Sequence, residues 1–269
     1  MHLSAMLPTS VFNKLPLKTL CAVLAGVLAT GLSIPAQVGA QVQRIQSPTH
    51  EVALVELFTS EGCSSCPPAD HWMSELKNDK RLWNTVVPVA FHVDYWDYIG
   101  WPDRFASPTY SNRHRDYQRY AGLRSVYTPG FLVKGEEWRG WFRYPTLNLD
   151  SAPQAGVITL DIAADGAQVQ ASYAAVLPTS QALELHMAVL GFDLETKIEA
   201  GENDGRTLHH DFVVLGYQRT AMQSSDSRFT AISALPKQRI TAPRRALAAW
   251  VSLKDHPSPL QAAGGWLKN

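Results

Sequence analysis

Nothing constrains this chain more than two cysteines, Cys63 and Cys66, set between an apolar run and an amphipathic one. Val52-Ala53-Leu54-Val55-Glu56-Leu57-Phe58 is almost continuously apolar, the pattern of a strand buried on both faces of a sheet. Beyond the turn residues Thr59-Ser60-Glu61-Gly62 and the cysteines, Ala69, Trp72, Met73, Leu76 and Leu82 recur at helical spacing, with Asp70 and Glu75 among the polar positions. A second apolar run, Val86 to Val93, supplies the next strand. The order is strand, cysteine pair, helix, strand. It puts the thiols at the carboxyl end of the first strand, where chemistry concentrates in open α/β sheets. Pro67-Pro68 sharpens the prediction. Proline is tolerated in the first helical turn and costs hydrogen bonds beyond it, so the regular helix is expected to start near Pro67, with the cysteines in a looser preceding turn.

The spacing of the cysteines limits what they do. A disulfide between positions 63 and 66 closes almost no loop, so it removes little entropy from the unfolded chain and adds little stability. That shifts the weight toward redox chemistry or metal binding. Close to a helix N-terminus a thiolate is favoured over a thiol, and a second cysteine one turn away resolves a mixed disulfide by intramolecular attack. Two soft thiolates also suit Cu(I) or Zn(II), with a third ligand from His92 or His71. No second such pair and no His-x-x-x-His accompanies them, so the leading expectation has no metal and no cofactor. His209-His210-Asp211 looks metal-like, but neighbours on a strand point to opposite faces, which separates them. Glu56 interrupts the first strand. A carboxylate there must be paired or protonated, which makes it either a proton acceptor for Cys66 or a salt-bridged strand residue.

The first forty residues differ from the rest. Lys14 and Lys18 precede an apolar run from Leu20 to Leu32, and Ala36-Gln37-Val38-Gly39-Ala40 offers small residues for cleavage. This predicts a signal peptide over 1–40, taking Cys21 with it, and a periplasmic or secreted mature protein without a membrane anchor. The leader holds two of the 24 basic side chains and none of the 24 acidic ones, leaving a net charge of −2. No basic stripe is present, so nucleic acid is not an expected partner.

Thr59-x-x-x-Cys63-x-x-Cys66 after a buried strand resembles the active-site entry of thioredoxin and glutaredoxin folds. Residues 109–121 are similar to the next helix of that fold, Val126-Tyr127-Thr128-Pro129 to its cis-proline loop and Phe131-Leu132-Val133 to the antiparallel strand that follows. The resemblance implies that Thr128 and Pro129 belong to the site and present a substrate backbone. More narrowly, Val55 to Asp70, Phe91-His92-Val93-Asp94-Tyr95-Trp96-Asp97, Tyr127-Thr128-Pro129, Gly201 to Leu208 and Gln261 to Leu267 are similar to a secreted bacterial family catalogued as domain of unknown function 1223. Two departures from thioredoxins stand out: Gly62 replaces the usual tryptophan before the first cysteine, and Ser64-Ser65 replaces Gly-Pro between the pair. Residues 94–105 also form an aromatic insertion, either a lid or groove beside the thiols or a small packed subcore.

From Val157 the pattern becomes short alternating runs, 157–162, 168–173, 182–189 and 247–251, separated by turns such as Ala164-Asp165-Gly166 and Asn203-Asp204-Gly205. Such spacing predicts an antiparallel sandwich or barrel. The expected fold is therefore an α/β thioredoxin-like domain over 41–145, a linker over 146–156 and an all-β, antiparallel sandwich-like domain over 157–269. The expected activity is thiol–disulfide exchange on exported protein thiols and disulfides. Cys63 would attack, Cys66 would resolve, Thr128 and Pro129 would present the substrate and Glu56 would handle the proton. The alternatives are a metallochaperone-like protein using the same thiols and a non-catalytic interaction protein.

Overall fold

The computed structural model describes residues 42–143, 146–149, 152–177, 179–225 and 228–268. The expected leader over 1–40, with Cys21, lies outside them. The described chain begins with β1 (Gln43–Gln46), β2 (Ala53–Thr59), α1 (Pro67–Glu75), β3 (Val86–His92), α2 (Pro108–Tyr120), β4 (Gly130–Val133) and β5 (Glu136–Glu137). It continues through β6 (Val157–Ile162), β7 (Val169–Ala174), β8 (Leu183–Phe192), β9 (Leu194–Lys197), β10 (Thr207–His210) and β11 (Val213–Ala221). The last strands are β12 (Gln223–Ser225), β13 (Arg228–Ser233), β14 (Arg244–Leu253) and β15 (Pro259–Trp266).

The apolar run that opens the cysteine motif is β2, and every residue of β2 and of β3 is buried. The two strands pair in parallel with Glu56 opposite Val89, while β4 pairs antiparallel to the other edge of β2, Phe58 opposite Gly130. α1 starts at Pro67, with Cys66 as its N-cap residue. Ser107 caps α2, its hydroxyl accepting from Thr109 N–H, and Pro108 fills the first helical position, where a missing donor costs nothing.

The expected division into an α/β thioredoxin-like domain followed by an all-β domain is corrected by the sheet itself. One eight-stranded sheet runs β15-β14-β8-β11-β3-β2-β4-β5 and takes four strands from each half of the chain. The halves join where β11 lies parallel to β3, with Val213 opposite Ala90 and Ala90 N–H bonded to Phe212 C=O at 2.9 Å. The molecule is mostly strand, with two α-helices among the described residues. Local patterning does not reveal this junction, because it rests on one long-range pairing between β3 and a run, 213–221, of mixed composition.

Alternation along β8 and β14 explains the layers. Ala188, Leu190, Phe192, Ala246, Ala248 and Trp250 face a core shared with β2, β3 and both helices. Leu185, Met187, Val189, Leu247, Ala249 and Val251 face a second core, as a period of two requires. That second core is closed by the five-stranded sheet β1-β6-β7-β13-β12. β1 is drawn into this sheet from the start of the described chain. β9 and β10 form a separate ribbon, and β10 packs against α1.

Candidate functional site: a covered disulfide

Cys63 and Cys66 are joined by a disulfide, their Cα atoms 5.4 Å apart. Both are buried, Cys63 at 1% exposure and Cys66 at 0%, while Ser64 and Ser65 between them are exposed. The Ser65 hydroxyl lies 3.3 Å from Cys63 Sγ. It is the donor, because a disulfide sulfur carries no proton.

The cover comes from two places. Gly62 lies against the aromatic insertion: a Cβ there would stand 3.3 Å from Trp96 Cβ, so the glycine permits the close approach. The loop between β9 and β10 supplies the rest. Asn203 is buried and donates to Glu61 C=O at 2.8 Å and Cys63 C=O at 3.1 Å. The Glu202 carboxylate accepts from Ser64 N–H at 3.1 Å and Ser64 Oγ at 2.6 Å. Gly201, at φ +78°, has the left-handed backbone that starts this clasp, and a Cβ there would meet Trp101 Cβ at 3.3 Å.

Behind the disulfide lies a buried set of charged groups that sequence reading did not assemble. Glu61, Asp70, His92, Asp103 and His210 are each 7% exposed or less. Thr59 and His92 come from the ends of β2 and β3, Asp70 from α1, Asp103 from the insertion and His210 from β10. His92 Nδ1 is 2.6 Å from Asp103 Oδ2, which also accepts from Glu61 N–H at 2.9 Å. Burial alone would lower the His92 pKa. The charge of Asp103 and its hydrogen bond outweigh that and hold the imidazole at about 9. Trp101 Nε1 donates to Glu61 Oε2 at 2.9 Å. His210 sits between two carboxylates, Nε2 3.2 Å from Glu61 Oε1 and Nδ1 4.0 Å from Asp70 Oδ2. Burial opposes ionisation of Glu61, but the contact with His210 and the Trp101 bond bring its pKa below the usual range. Asp70 goes the other way, because burial raises it against the nearby histidines. His92 Nε2 has no hydrogen-bond partner, and the Glu61–His210 contact is an ion pair.

Of the residues expected at the site, Cys63 and Cys66 are together as described. Thr128 and Pro129 are joined by a cis peptide bond. They precede β4, and continuing its register past Phe58 and Gly130 sets them beside Thr59 and Ser60, at the same sheet edge as the cysteines. Glu56 is elsewhere. Alternation turns it to the sheet face that carries α2, where Arg113 Nε binds Oε1 at 2.7 Å and the Tyr117 hydroxyl donates to Oε2. It is a salt-bridged strand carboxylate, and the buried acids flanking the cysteines in sequence are Glu61 and Asp70. His71 is exposed and lies 3.6 Å from Glu75, while His92 is engaged by Asp103. Among the described residues no three His, Cys, Asp or Glu side chains are grouped as ligands for a metal ion. His210 was the residue most nearly visible beforehand. β10 buries it and exposes His209, so the strand alternation that argued against a metal cluster also delivered one histidine to the site.

A cleft of about 350 Å³ lies on the α2 side, lined by Arg113, His186, Tyr217, Arg219 and Asp255 among others. It does not include the cysteines. No helix among the described residues is long and apolar enough to cross a membrane.

Comparison with known proteins places this arrangement. The crystal structure of protein AGR_C_4864 from Agrobacterium tumefaciens superposes with a TM-score of 0.55 at 22% identity, covering 81% of this chain and 94% of that one. HBP35 of Porphyromonas gingivalis superposes with a TM-score of 0.51 at 16% identity, covering 82% of this chain and 76% of its own. At these identities the likeness is one of fold. No curated protein matches the chain. The family model described as protein of unknown function (DUF1223) matches residues 54–252. That span includes the disulfide turn, the insertion, the clasp loop and the junction between β3 and β11, and the chain belongs to the DUF1223 family.

Proposed function

We propose that the protein is an exported thiol–disulfide oxidoreductase that exchanges disulfides with other exported proteins through Cys63 and Cys66. The observation that carries this reading is the placement of the disulfide. It closes a turn too short to stabilise the fold, at the carboxyl end of a buried strand, with the Thr128–Pro129 bond just ahead of the adjoining strand β4. Cys63 is the attacking sulfur and Cys66 the resolving one. The leader-like composition of residues 1–40 supports export, into a compartment where such pairs cycle.

The cover restricts access. With Cys63 1% exposed, a protein substrate reaches it after the 201–206 clasp withdraws from Ser64. Thr128, ahead of β4 and outside its pairing with β5, then offers its backbone to an extended substrate segment. Equilibration in glutathione buffers with thiol trapping tests the reading: a reversible two-electron transition between about −120 and −270 mV is expected. A Cys66→Ser variant should accumulate mixed disulfides through Cys63. A pair that never cycles, with no adducts on the variant, would overturn it.

A further inference from the structure

Reduction of the disulfide poses a proton problem at Cys66. Its sulfur belongs to a residue with no exposure, so water is excluded from it. Ordinarily a helix N-terminus would offer free N–H groups to a departing thiolate. Here Pro67 and Pro68 occupy the first two helical positions and have none, and the next two N–H groups, of Ala69 and Asp70, are both spent on the Cys66 carbonyl at 2.9 and 3.0 Å. A thiolate left at Cys66 would be buried without donors. Such a group is costly and is neutralised where a proton is within reach.

We propose that Asp70, relayed by His210, is the proton donor and acceptor of Cys66, an inference that rests on the exchange reading above. Asp70 stands one helical turn after Cys66, its N–H bonded to the Cys66 carbonyl, and helical side chains lean toward the N-terminus, the side on which Cys66 lies. His210 Nδ1 lies 4.0 Å from that carboxyl, and its other nitrogen faces Glu61 at 3.2 Å. The groups facing Asp70 are His210 from β10, His92 and Thr59 from the strand ends, and Asp103 from the insertion. Burial raises the Asp70 pKa, so the carboxyl retains a proton at a pH where an exposed aspartate has lost it.

The step balances with a substrate dithiol as reductant. One substrate thiolate attacks Cys63 Sγ, the bond to Cys66 breaks, and its electron pair departs on Cys66 Sγ. That sulfur takes the Asp70 proton. The Asp70 carboxylate so formed takes back, by way of His210, one of the two protons that the substrate thiols released to solvent. The second substrate thiolate then attacks the mixed disulfide and displaces Cys63 as a thiolate. The substrate loses two electrons and its two thiol protons to become a disulfide, and the cysteines gain two electrons and, once Cys63 is protonated, two protons. In the opposite direction Asp70 removes the Cys66 proton and frees the sulfur to resolve a mixed disulfide.

The test separates this inference from the reading beneath it. In a Cys21→Ala, Cys63→Ser chain, Cys66 is the remaining thiol, and its titration is followed by thiolate absorbance at 240 nm with no substrate present. Coupled sites titrate as a pair: the expected curve is biphasic, and Asp70→Asn should collapse it to one step with a midpoint lower by about one unit. His210→Gln should alter the same curve, and Asp70→Glu should restore the biphasic shape. Melting curves identify any variant that does not fold, and the histidine variant then carries the test. Identical Cys66 titrations in the parent and both variants would overturn the proton role even if exchange is active. A coupled titration in a protein that never exchanges disulfides would uphold the Asp70–Cys66 link and reject the oxidoreductase reading.

Discussion

Two faces of one sheet each bury a carboxylate of β2 or its extension, and they treat it in opposite ways. On the α2 face, Glu56 is met by Arg113 Nε and the Tyr117 hydroxyl, Arg113 Nη2 donates onward to Tyr117 and to Pro257 C=O at 3.2 Å each, and the guanidinium lies 4.8 Å from the Trp250 ring. No buried polar atom of this trio is left without a partner. On the α1 face, His92 Nε2 has no hydrogen-bond partner, and His210 is shared between Glu61 and Asp70. A closed network holds a fold together and resists protonation change. An open one has capacity to move a proton, and it is the open one that adjoins the disulfide.

Several experiments break or sharpen this contrast. The largest effect should come from Arg113→Ala, which strands Glu56 as an unpaired buried charge: unfolding by denaturant should show a loss of about 3–5 kcal/mol. A loss below 1 kcal/mol would mean that the α2 face is not the closed network described. On the other face, His92 contributes a pH-dependent term. Its folded pKa of about 9 lies above the 6.5 of the unfolded chain, so the stabilisation is complete below pH 6.5 and is lost as pH rises through 9, by at most about 3 kcal/mol. Denaturant midpoints at pH 6, 7.5 and 9 should fall in that order, and His92→Gln should flatten the series.

The clasp gives a smaller effect. Asn203→Ala leaves the Glu61 and Cys63 carbonyls without their donor, for about 1–3 kcal/mol, and should also speed alkylation of reduced Cys63 severalfold. Unchanged alkylation would show that the 201–206 loop does not control access. The smallest change is the most diagnostic: Glu56→Gln should leave the Cys66 titration where it was, whatever it costs in stability. A shift as large as that of Asp70→Asn would erase the distinction between the faces.

Much of the local structure was legible beforehand. The run 52–58 became β2 displaced by one residue, Val86–Val93 became β3, and the helix began at Pro67, because each depends on near-neighbour chemistry: burial pattern, proline geometry, strand alternation. The strands at 213–221, 228–233 and 259–266 carried weaker signals. β11 mixes apolar residues with Gln218, Arg219 and Thr220, and β15 is rich in alanine and glycine, whose small side chains carry little hydrophobic signal.

The site divided the same way. Cys63 and Cys66 were visible because three residues separate them, whereas Asp70 looked like an ordinary helix-start acid, Asp103 like part of an aromatic loop and His210 like one of two strand histidines. Glu202 and Asn203 lay in a segment that read as a turn between strands and carried a family likeness. By itself the sequence determined the strand, the proline-started helix and the cysteine pair at their junction, since covalent geometry and local periodicity act within a few residues. The tertiary structure decided that β3 and β11 fuse the halves into one sheet, that Glu56 faces α2 and that a loop some 140 residues away covers Cys63. Those outcomes depend on which surfaces bury one another, and that is settled by the packing of the whole chain at once.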